Sequence, residues 1–231
     1  MEQLRQDRDL VEVHVPVDAN QEAAEIHRRV VAAGGPALLF TNIIGAKFPL
    51  VTNLFGTQRR AQLAFGARPQ RLIQRLVDLV ENILPPTPAK LWGARDLGFE
   101  LLKVGVRKGR GGPVMEVVTN DVRLDTLPAM TTWPDDGGPF ITLPLVYTEH
   151  PAGRGHNLGM YRLQIHDGRS TGMHWQIGKG GGFHYQVAEG RGDSLPVTVF
   201  LGGPPALILS AIAPLPEITF PSRFMAPAAS R

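Results

Sequence analysis

The stretch HNLGMYRLQIHDGRSTGMHWQIGKGGGFHY, residues 156–185, predicts two short β-strands joined by a tight turn. The pair Asp167–Gly168 lies between the strands, and an Asp-Gly pair between two strand-like runs favours a β-hairpin. The glycine run 180–182 after Lys179 predicts a second, flexible turn at one end of this hairpin. The hairpin would gather polar and aromatic side chains from both strands: Tyr161, Arg162, Gln164, Met173, His174, Trp175 and Gln176.

The hairpin belongs to a longer series of short β-rich segments that begins near residue 113. Clusters of Gly, Pro and Asp separate these segments, which is the pattern of a β-barrel or a β-sandwich. A proline-flanked run at 204–216 predicts a short helix after the last strand. The predicted β-rich segments are residues 113–128, 140–151, 159–167, 171–177, 183–190 and 195–202.

Upstream of these segments the pattern changes to helices alternating with strands. Residues 21–33 carry apolar side chains at the spacing of one helix face, which predicts a helix. Asp18 or Asn20 would cap its start, and Gly34–Gly35 would end it.

The remaining upstream segments complete the fold prediction. A buried strand is expected at 36–40, residues 48–66 combine a short strand with the start of a helix, and residues 69–86 predict a further helix. The sequence therefore predicts an α+β protein, with a small N-terminal α/β domain over residues 1–110 and a β-rich domain over residues 111–231.

Composition excludes several classes of function. The chain has no cysteine, so disulfides, thiolate nucleophiles and cysteine-ligated zinc are excluded, and a cytoplasmic location is expected. Its 24 Lys and Arg residues nearly balance 21 Asp and Glu residues, which argues against a nucleic-acid partner. The charged N-terminus does not match a signal peptide, and no apolar run approaches the ~18 residues of a membrane span.

The predicted hairpin carries the residue types that a phosphorylated aromatic cofactor requires. Backbone N–H groups of a glycine turn bind anions, and Arg162 and Lys179 add positive charge. Trp175 and Tyr161 would offer flat faces to a ring system. Asn157 offers an uncharged oxygen to a cation such as Mg²⁺ or Mn²⁺.

Simpler explanations exist for each of these features. A GKGGG run is often only a turn, and it lacks the spacing of a Walker loop. A His or Trp side chain on a strand often packs against its neighbours and binds no ligand. The adjacent Asp135 and Asp136 point to opposite sides of an extended chain, so a turn with a solvated acidic face is expected there. No G-x-S-x-G or H-E-x-x-H motif is present.

Several ordered motifs resemble the UbiD family of reversible, non-oxidative decarboxylases. They are residues 48–66, 133–151, 157–164, 171–185 and 195–217. The resemblance implies a split β-barrel that binds prenylated FMN, with Mn²⁺ and often K⁺ at its phosphate. It also implies decarboxylation of aromatic or α,β-unsaturated carboxylic acids.

The resemblance carries site roles to individual residues. Asn157 matches the asparagine that binds the divalent metal, and Arg162 matches the catalytic arginine that pairs with an acid. Cofactor contact is implied for Met160, Tyr161, Arg162, His174, Trp175, Gln176, Lys179 and Gly180.

The chain departs from the family pattern in two ways. Gly178 stands where many members have a histidine, and family members are considerably longer. Glu217 does not match the family's metal-binding glutamate, so that ligand and the catalytic acid are expected to be missing together with a C-terminal half. The expected partner is a copy of this chain or a chain that supplies this half. A non-catalytic flavin-binding module and a truncated reading frame are the alternatives.

Overall fold

The computed structural model describes residues 1–66, 111–176 and 178–212. Helices within these ranges are Glu2–Gln6 (α1), Glu22–Ala32 (α2), Gln58–Phe65 (α3), Gly180–Gly190 (α4) and Pro205–Ser210 (α5). Strands are Leu10–Val13 (β1), Ala37–Phe40 (β2), Leu50–Thr52 (β3), Phe140–Ile141 (β4), Pro144–Glu149 (β5), His156–Met160 (β6), Leu163–Ile165 (β7), Thr171–Met173 (β8) and Val197–Leu201 (β9). The predicted mixture of helices and strands is confirmed, while the helix predicted over 69–86 lies outside the described residues.

The first sheet has the strand order β1-β2-β3 and is built from the N-terminal segment. Strand β2 runs parallel to β1 and antiparallel to β3, and α2 connects β1 to β2. A parallel pair requires such a crossover, which is why a helix separates the two strands. The buried core between helix and sheet is formed by small, branched and aromatic apolar side chains: Val17, Ala23, Leu38, Phe40 and Ile43.

Helix α2 lies where the sequence predicts it, but its two ends differ in how well they were predicted. At its end, Gly34 has φ of 64°, and its N–H bonds to the carbonyl of Val31, while Gly35 N–H bonds to that of Val30. This is a Schellman motif, and the predicted stop is confirmed. The predicted cap at its start is wrong, because Gln21 occupies the cap position and no side chain caps the helix.

Two further three-stranded sheets form from the later segments, with strand orders β4-β7-β8 and β6-β5-β9. The predicted hairpin is confirmed as the antiparallel pair β7–β8, in which Leu163 faces Met173 across the ladder. Residues 156–160 belong to the other sheet, where β6 pairs with β5. The described strands show no closure into a barrel.

Two of the predicted β-rich segments have a different structure. Residues 113–128 contain the short 3₁₀ helices Pro113–Met115 and Leu124–Thr126, with no strand. The segment 183–190 is part of helix α4, which packs against β5 and β6. Glycine is a poor helix former, so the sequence at 180–182 does not indicate this helix.

Residues 1–64 and 119–212 belong to one compact unit in the described parts of the chain. Residues 65, 66 and 111–118 belong to a second unit, in which the structure describes the helix Pro113–Met115. The predicted domain boundary after residue 110 adjoins a segment outside the described residues and stays a prediction. No helix in the described ranges is long and apolar enough to cross a membrane.

Candidate cofactor site

Tyr161, between β6 and β7, joins the predicted hairpin to the start of helix α4. Its side chain is buried, with 6% of the residue exposed. Its hydroxyl oxygen accepts hydrogen bonds from the Gly181 N–H, at 3.0 Å, and from Asn157 Nδ2, at 3.4 Å. Strand β6, the following loop and the first turn of α4 are therefore connected through one hydroxyl group.

Two glycines, Gly159 and Gly181, allow neighbouring segments to pack closely against the Tyr161 ring. A Cβ atom added at Gly181 would lie 2.6 Å from Cζ3 of Trp175 and 3.0 Å from Cζ of Tyr161. A Cβ atom at Gly159 would lie 2.6 Å from Cε2 of Tyr161. Real side chains do not tolerate such distances, so both glycines are needed for packing around the Tyr161 ring.

The aromatic surface of the site differs from the sequence-based expectation. Tyr161 meets Trp175 edge-on, with ring centroids 5.1 Å apart and an interplanar angle of 60°. Because its ring is enclosed, the expected flat face of Tyr161 is not available to a ligand. Trp175 instead stacks on Tyr185, at 5.9 Å and 17°. Tyr185 is exposed and was missed, since helix periodicity around residues 181–185 was not recognised.

The glycine run after Lys179 begins a helix rather than forming a flexible turn. Lys179 is exposed and occupies the N-cap position of α4, and its N–H donates to the carbonyl of Gln176, at 3.2 Å. Gly180, the first helical residue, is buried. A helix N-terminus also favours anions, so the contact of Lys179 and Gly180 with a phosphate stays a prediction, now placed at the start of a helix.

The guanidinium of Arg162 contacts an aromatic ring and a carboxylate, neither of which was predicted from the sequence. Its guanidinium carbon lies 4.2 Å from the ring centroid of Phe140, and Nη1 lies 3.7 Å from Oδ1 of Asp136. The Asp136 side chain is only 10% exposed, whereas that of Arg162 is 56% exposed. The expected solvated acidic face is therefore wrong for Asp136, although the adjacent Asp135 is exposed.

The remaining predicted contact residues lie around these groups. Met160 ends β6, is half-buried and pairs with Leu145. His174 and Gln176, which flank Trp175, are both exposed in the described chain. The structure therefore brings Tyr161, Trp175 and the start of α4 into direct contact. The other predicted contact residues flank Tyr161 or Trp175 in the sequence.

Asn157 is the predicted metal ligand and lies on β6. Its Nδ2 donates to Tyr161, which leaves the amide oxygen as the group that a cation would use. Within the described ranges, no three His, Cys, Asp or Glu side chains form a group that could hold a metal ion. The described side chains thus supply one candidate oxygen ligand and no complete metal site.

Three imidazoles lie close to Asn157 and were not singled out from the sequence. A cavity of about 190 Å³ is lined by Asn157, His150, His156, His184, Phe183 and Arg154, with Gly155. Burial lowers the pKa of the His184 imidazole from its usual value, and the charges of His150 and His156 lower it further. His184 therefore favours the neutral form.

Comparison with known families decides the membership of this chain. Residues 1–80 match the 3-octaprenyl-4-hydroxybenzoate carboxy-lyase N-terminal domain, and residues 106–226 match the Rift-related domain of the same carboxy-lyase, UbiD. The chain belongs to the UbiD family. The resemblance stated from the sequence is confirmed over the N-terminal and central portion.

Relatives within the UbiD family are substantially longer. The chain is 49% identical over 213 residues to a protein of Chlamydia pneumoniae that is named as one subunit of a 4-hydroxybenzoate decarboxylase. It is 50% identical over 214 residues to an uncharacterised protein of Chlamydia caviae. The alignments cover 92% and 93% of this chain but 36% of each relative, so the chain spans about a third of their length.

Solved UbiD-class structures share the fold. The vanillic acid decarboxylase of Sedimentibacter hydroxybenzoicus in its closed form aligns with a TM-score of 0.73 at 23% identity, covering 94% of this chain and 44% of that chain. The apo 3,4-dihydroxybenzoic acid decarboxylase of Klebsiella pneumoniae gives 0.65 at 26% identity, with coverage of 88% and 41%. An evolved dimeric form of HmfF from Pelotomaculum thermopropionicum, in complex with prenylated FMN, gives 0.68 at 22% identity, with coverage of 93% and 50%.

Proposed function

We propose that residues 1–231 form the flavin-holding part of a UbiD-type decarboxylase that uses prenylated FMN. The substrates would be aromatic or α,β-unsaturated carboxylic acids. The observation that carries this proposal is the contact of Tyr161 with Trp175 and Gly181. These three residues form one side of the candidate site, which we call the cofactor wall. The curated relative named for 4-hydroxybenzoate decarboxylase supports the reaction class.

The wall suits a planar ring with a charged tail. Trp175 is half-buried and backed by Tyr161 on one side, so its position is fixed while part of its surface stays accessible. Met160, His174 and Gln176 would contribute apolar and hydrogen-bonding contacts around the ring. Completion of a split β-barrel around the flavin is part of this proposal.

The phosphate end of the ligand would lie near the start of α4. Lys179 supplies a cation and Gly180 a backbone N–H at the positive end of the helix, both of which favour a phosphate. The amide oxygen of Asn157 would contribute one ligand to Mn²⁺, with K⁺ as a second cation. Such hard cations take several oxygen ligands, so phosphate, water or other side chains would have to supply the rest.

Arg162 would act at the reacting end of the site. Its guanidinium is accessible, and Phe140 and Asp136 restrict it from one side. A substrate carboxylate would pair with the free edge of this guanidinium, which orients the bond to be broken. Prenylated FMN, when bound, supplies the electron-withdrawing centre for loss of CO₂, and Asp136 keeps Arg162 in position.

We infer that the active assembly includes further polypeptide. The chain covers only 36% of the curated relatives and 44% of the vanillic acid decarboxylase, whose name, ShVdcCD, combines two components. The additional segment would carry the proton donor and other metal ligands. Homo-oligomerisation and association with a second kind of chain are both compatible with this inference.

Titration of the 231-residue chain with FMN tests the binding part of the proposal. Quenching of tryptophan fluorescence and isothermal calorimetry would report the affinity. Arg162→Ala is expected to weaken binding by about tenfold, because Arg162 is also a predicted cofactor contact and its guanidinium would donate a charge-assisted hydrogen bond to the flavin ring. Arg169→Ala, in the exposed β7–β8 turn, is the matched control and should leave affinity unchanged. Absence of binding, or equal affinity in both variants, would reject the proposed site.

A further inference from the structure

Residues 133–139 form a loop that leads into β4 and carries Asp136, the carboxylate next to Arg162. We call it the acidic loop. Backbone hydrogen bonds close its base: the N–H of Phe140 donates to the carbonyl of Met130, at 2.9 Å, and the N–H of Met130 donates to the carbonyl of Phe140, at 3.2 Å. The carboxylate lies beyond this base, so its position depends on further contacts of the loop.

Strand β7 supplies two of these contacts. The backbone N–H of Ile165 donates to the carbonyl of Pro139, at 2.9 Å. The side chain of Gln164 reaches further along the loop, and its Nε2 donates a hydrogen bond to the carbonyl of Gly137. Because Gly137 directly follows Asp136, the Gln164 amide restrains the backbone one residue after the carboxylate.

Gln164 and Arg162 lie on the same side of the chain. Side chains two residues apart on an extended chain project to the same side. Burial agrees, because Leu163 and Ile165 are buried, whereas Arg162 is exposed and Gln164 is half-buried. Phe140 faces Gln164 across the β4–β7 ladder, and its ring centroid lies 4.2 Å from the guanidinium carbon of Arg162. One surface therefore carries Arg162, the aromatic ring that it contacts and the amide that restrains the acidic loop.

The backbone of the acidic loop is suited to a close approach of the Gln164 amide. Gly138 has φ of 135°, in the region that favours glycine. A Cβ atom added at Gly137 would lie 3.0 Å from Nε2 of Gln164, which is closer than most real Cβ contacts. The two glycines therefore allow the amide to reach the backbone of the loop.

The ion pair of Asp136 and Arg162 is by itself a weak restraint on the loop. Its N–O distance of 3.7 Å exceeds the roughly 2.9 Å of a charge-assisted hydrogen bond, and the Arg162 side chain is 56% exposed. Exposed ion pairs contribute little, because water screens them and long side chains lose freedom. The hydrogen bond from Gln164 is therefore the stronger restraint on where the Asp136 carboxylate lies.

We propose that Gln164 is a positioning residue for Arg162, and that it acts through the Gly137 carbonyl and the carboxylate of Asp136. This inference rests on the proposed function, in which Arg162 pairs with a substrate carboxylate. Gln164 would touch neither flavin nor substrate. By holding the acidic loop, its amide keeps one side of the guanidinium against Asp136 and leaves the other side to the substrate.

Side-chain NMR of Arg162 in the ¹⁵N-labelled chain measures this positioning without any ligand. The Nε–H signal, assigned by its loss in Arg162→Ala, should shift in Gln164→Met, which keeps the size of the side chain and removes the donor. Asp136→Asn should shift the same signal. Gln3→Met is the matched control and should leave the signal unchanged, because Gln3 Nε2 donates to Asp7 on the surface. An unmoved Arg162 signal in folded Gln164→Met would overturn the proposal.

A double variant separates action through the carboxylate from a direct effect of the neighbouring side chain. When Gln164→Met is added to Asp136→Asn, the Arg162 signal should move by less than about half of the shift that Gln164→Met causes alone. Full additivity would contradict the proposed route. Gln164→Glu, which places an acceptor at the Gly137 carbonyl, should behave as Gln164→Met does. Urea unfolding establishes that each variant folds, and lower stability alone does not move the signal of the folded state.

Titration with benzoate, followed on the same signal, tests the consequence for a carboxylate ligand. Gln164→Met should weaken benzoate binding by about threefold to tenfold, because Arg162 loses its preset orientation, whereas Gln3→Met should not change it. Measurable but equal affinity in Gln164→Met and the original chain would contradict the positioning role. If the original chain binds no benzoate while the Arg162 signal still responds to Gln164→Met as described, the positioning role is supported and the proposed pairing of Arg162 with a substrate carboxylate is rejected. The two proposals therefore fail separately.

Discussion

The hydroxyl oxygen of Tyr161 lies 3.0 Å from the backbone nitrogen of Gly181 and accepts its hydrogen bond. The acceptor follows β6, and the donor lies in the first turn of α4, so the bond connects two elements that are twenty residues apart. The first N–H groups of a helix have no partner within the helix, and this buried one is satisfied by a side chain. The candidate cofactor wall depends on this connection.

Removing the Tyr161 hydroxyl should destabilise the fold. Tyr161→Phe leaves the Gly181 N–H buried without a partner and should lower the free energy of unfolding by about 1–2 kcal/mol. Urea unfolding followed by circular dichroism measures this change. Tyr185→Phe is the control, because the Tyr185 hydroxyl bonds to Glu189 on the surface and its loss should cost under about 0.5 kcal/mol. Equal losses in the two variants would contradict the structural role of Tyr161.

The packing of Gly181 makes a separate prediction. Gly181→Ala should lower the free energy of unfolding by about 1–3 kcal/mol, because its Cβ would overlap Trp175 and Tyr161. The emission of Trp175 should shift as its ring is displaced.

Gly190→Ala is the matched control in the same helix. A Cβ atom at Gly190 would meet no atom within 4 Å. Alanine is the better helix former, so stability should stay the same or rise by up to about 1 kcal/mol. A stabilised Gly181→Ala variant would show that α4 does not pack as described.

The ion pair of Arg162 and Asp136 can be measured by a double-mutant cycle. With Arg162→Ala and Asp136→Asn, the coupling energy is expected to be about 0.5–1 kcal/mol, limited by the exposure of the arginine. The exposed pair Arg191–Asp193, with a shorter N–O distance of 3.1 Å, should show a smaller coupling. A larger value for the exposed pair would indicate that the burial of Asp136 does not strengthen its interaction with Arg162.

Stability should fall as the pH is lowered through the titration range of His27. Burial lowers the pKa of its imidazole below the usual value of 6.5, and Nδ1 is buried without a hydrogen-bond partner in the described structure. Below pH 6.5 the unfolded state binds more protons than the folded state, so stability rises with pH in that window. Urea unfolding at several pH values between about 5 and 7.5 should give a weaker pH dependence for His27→Gln than for His166→Gln. Identical profiles in the two variants would exclude His27 as a cause.

Local patterns were sufficient to predict much of the fold. The helix ending at Gly34, the strand at residues 37–40 and the turn at Asp167–Gly168 each depend on a few neighbouring residues, and all three are confirmed. The helix containing Gly180–Gly182 was missed because glycine disfavours helices, whereas its first turn contacts Tyr161 and Trp175, which lie outside the helix. Helix propensity alone could not reveal it.

The site was predictable to a smaller extent for the same reason. The proximity of Tyr161 and Trp175 follows from the hairpin, so the sequence indicated it. The burial of Asp136 against Arg162 and the clustering of His150 with His184 are contacts between residues more than twenty positions apart in the sequence. Adjacent residues such as Asp135 and Asp136 can differ completely in burial, and no local pattern reports this difference.

A crystal structure of the 231-residue chain with bound FMN is the decisive measurement for the proposed cofactor wall. We expect the isoalloxazine ring to contact Trp175, with the guanidinium of Arg162 within hydrogen-bonding reach of the bound ligand. A flavin bound elsewhere on the chain, with Trp175 and Arg162 free of it, would contradict the assignment of this wall as the flavin site.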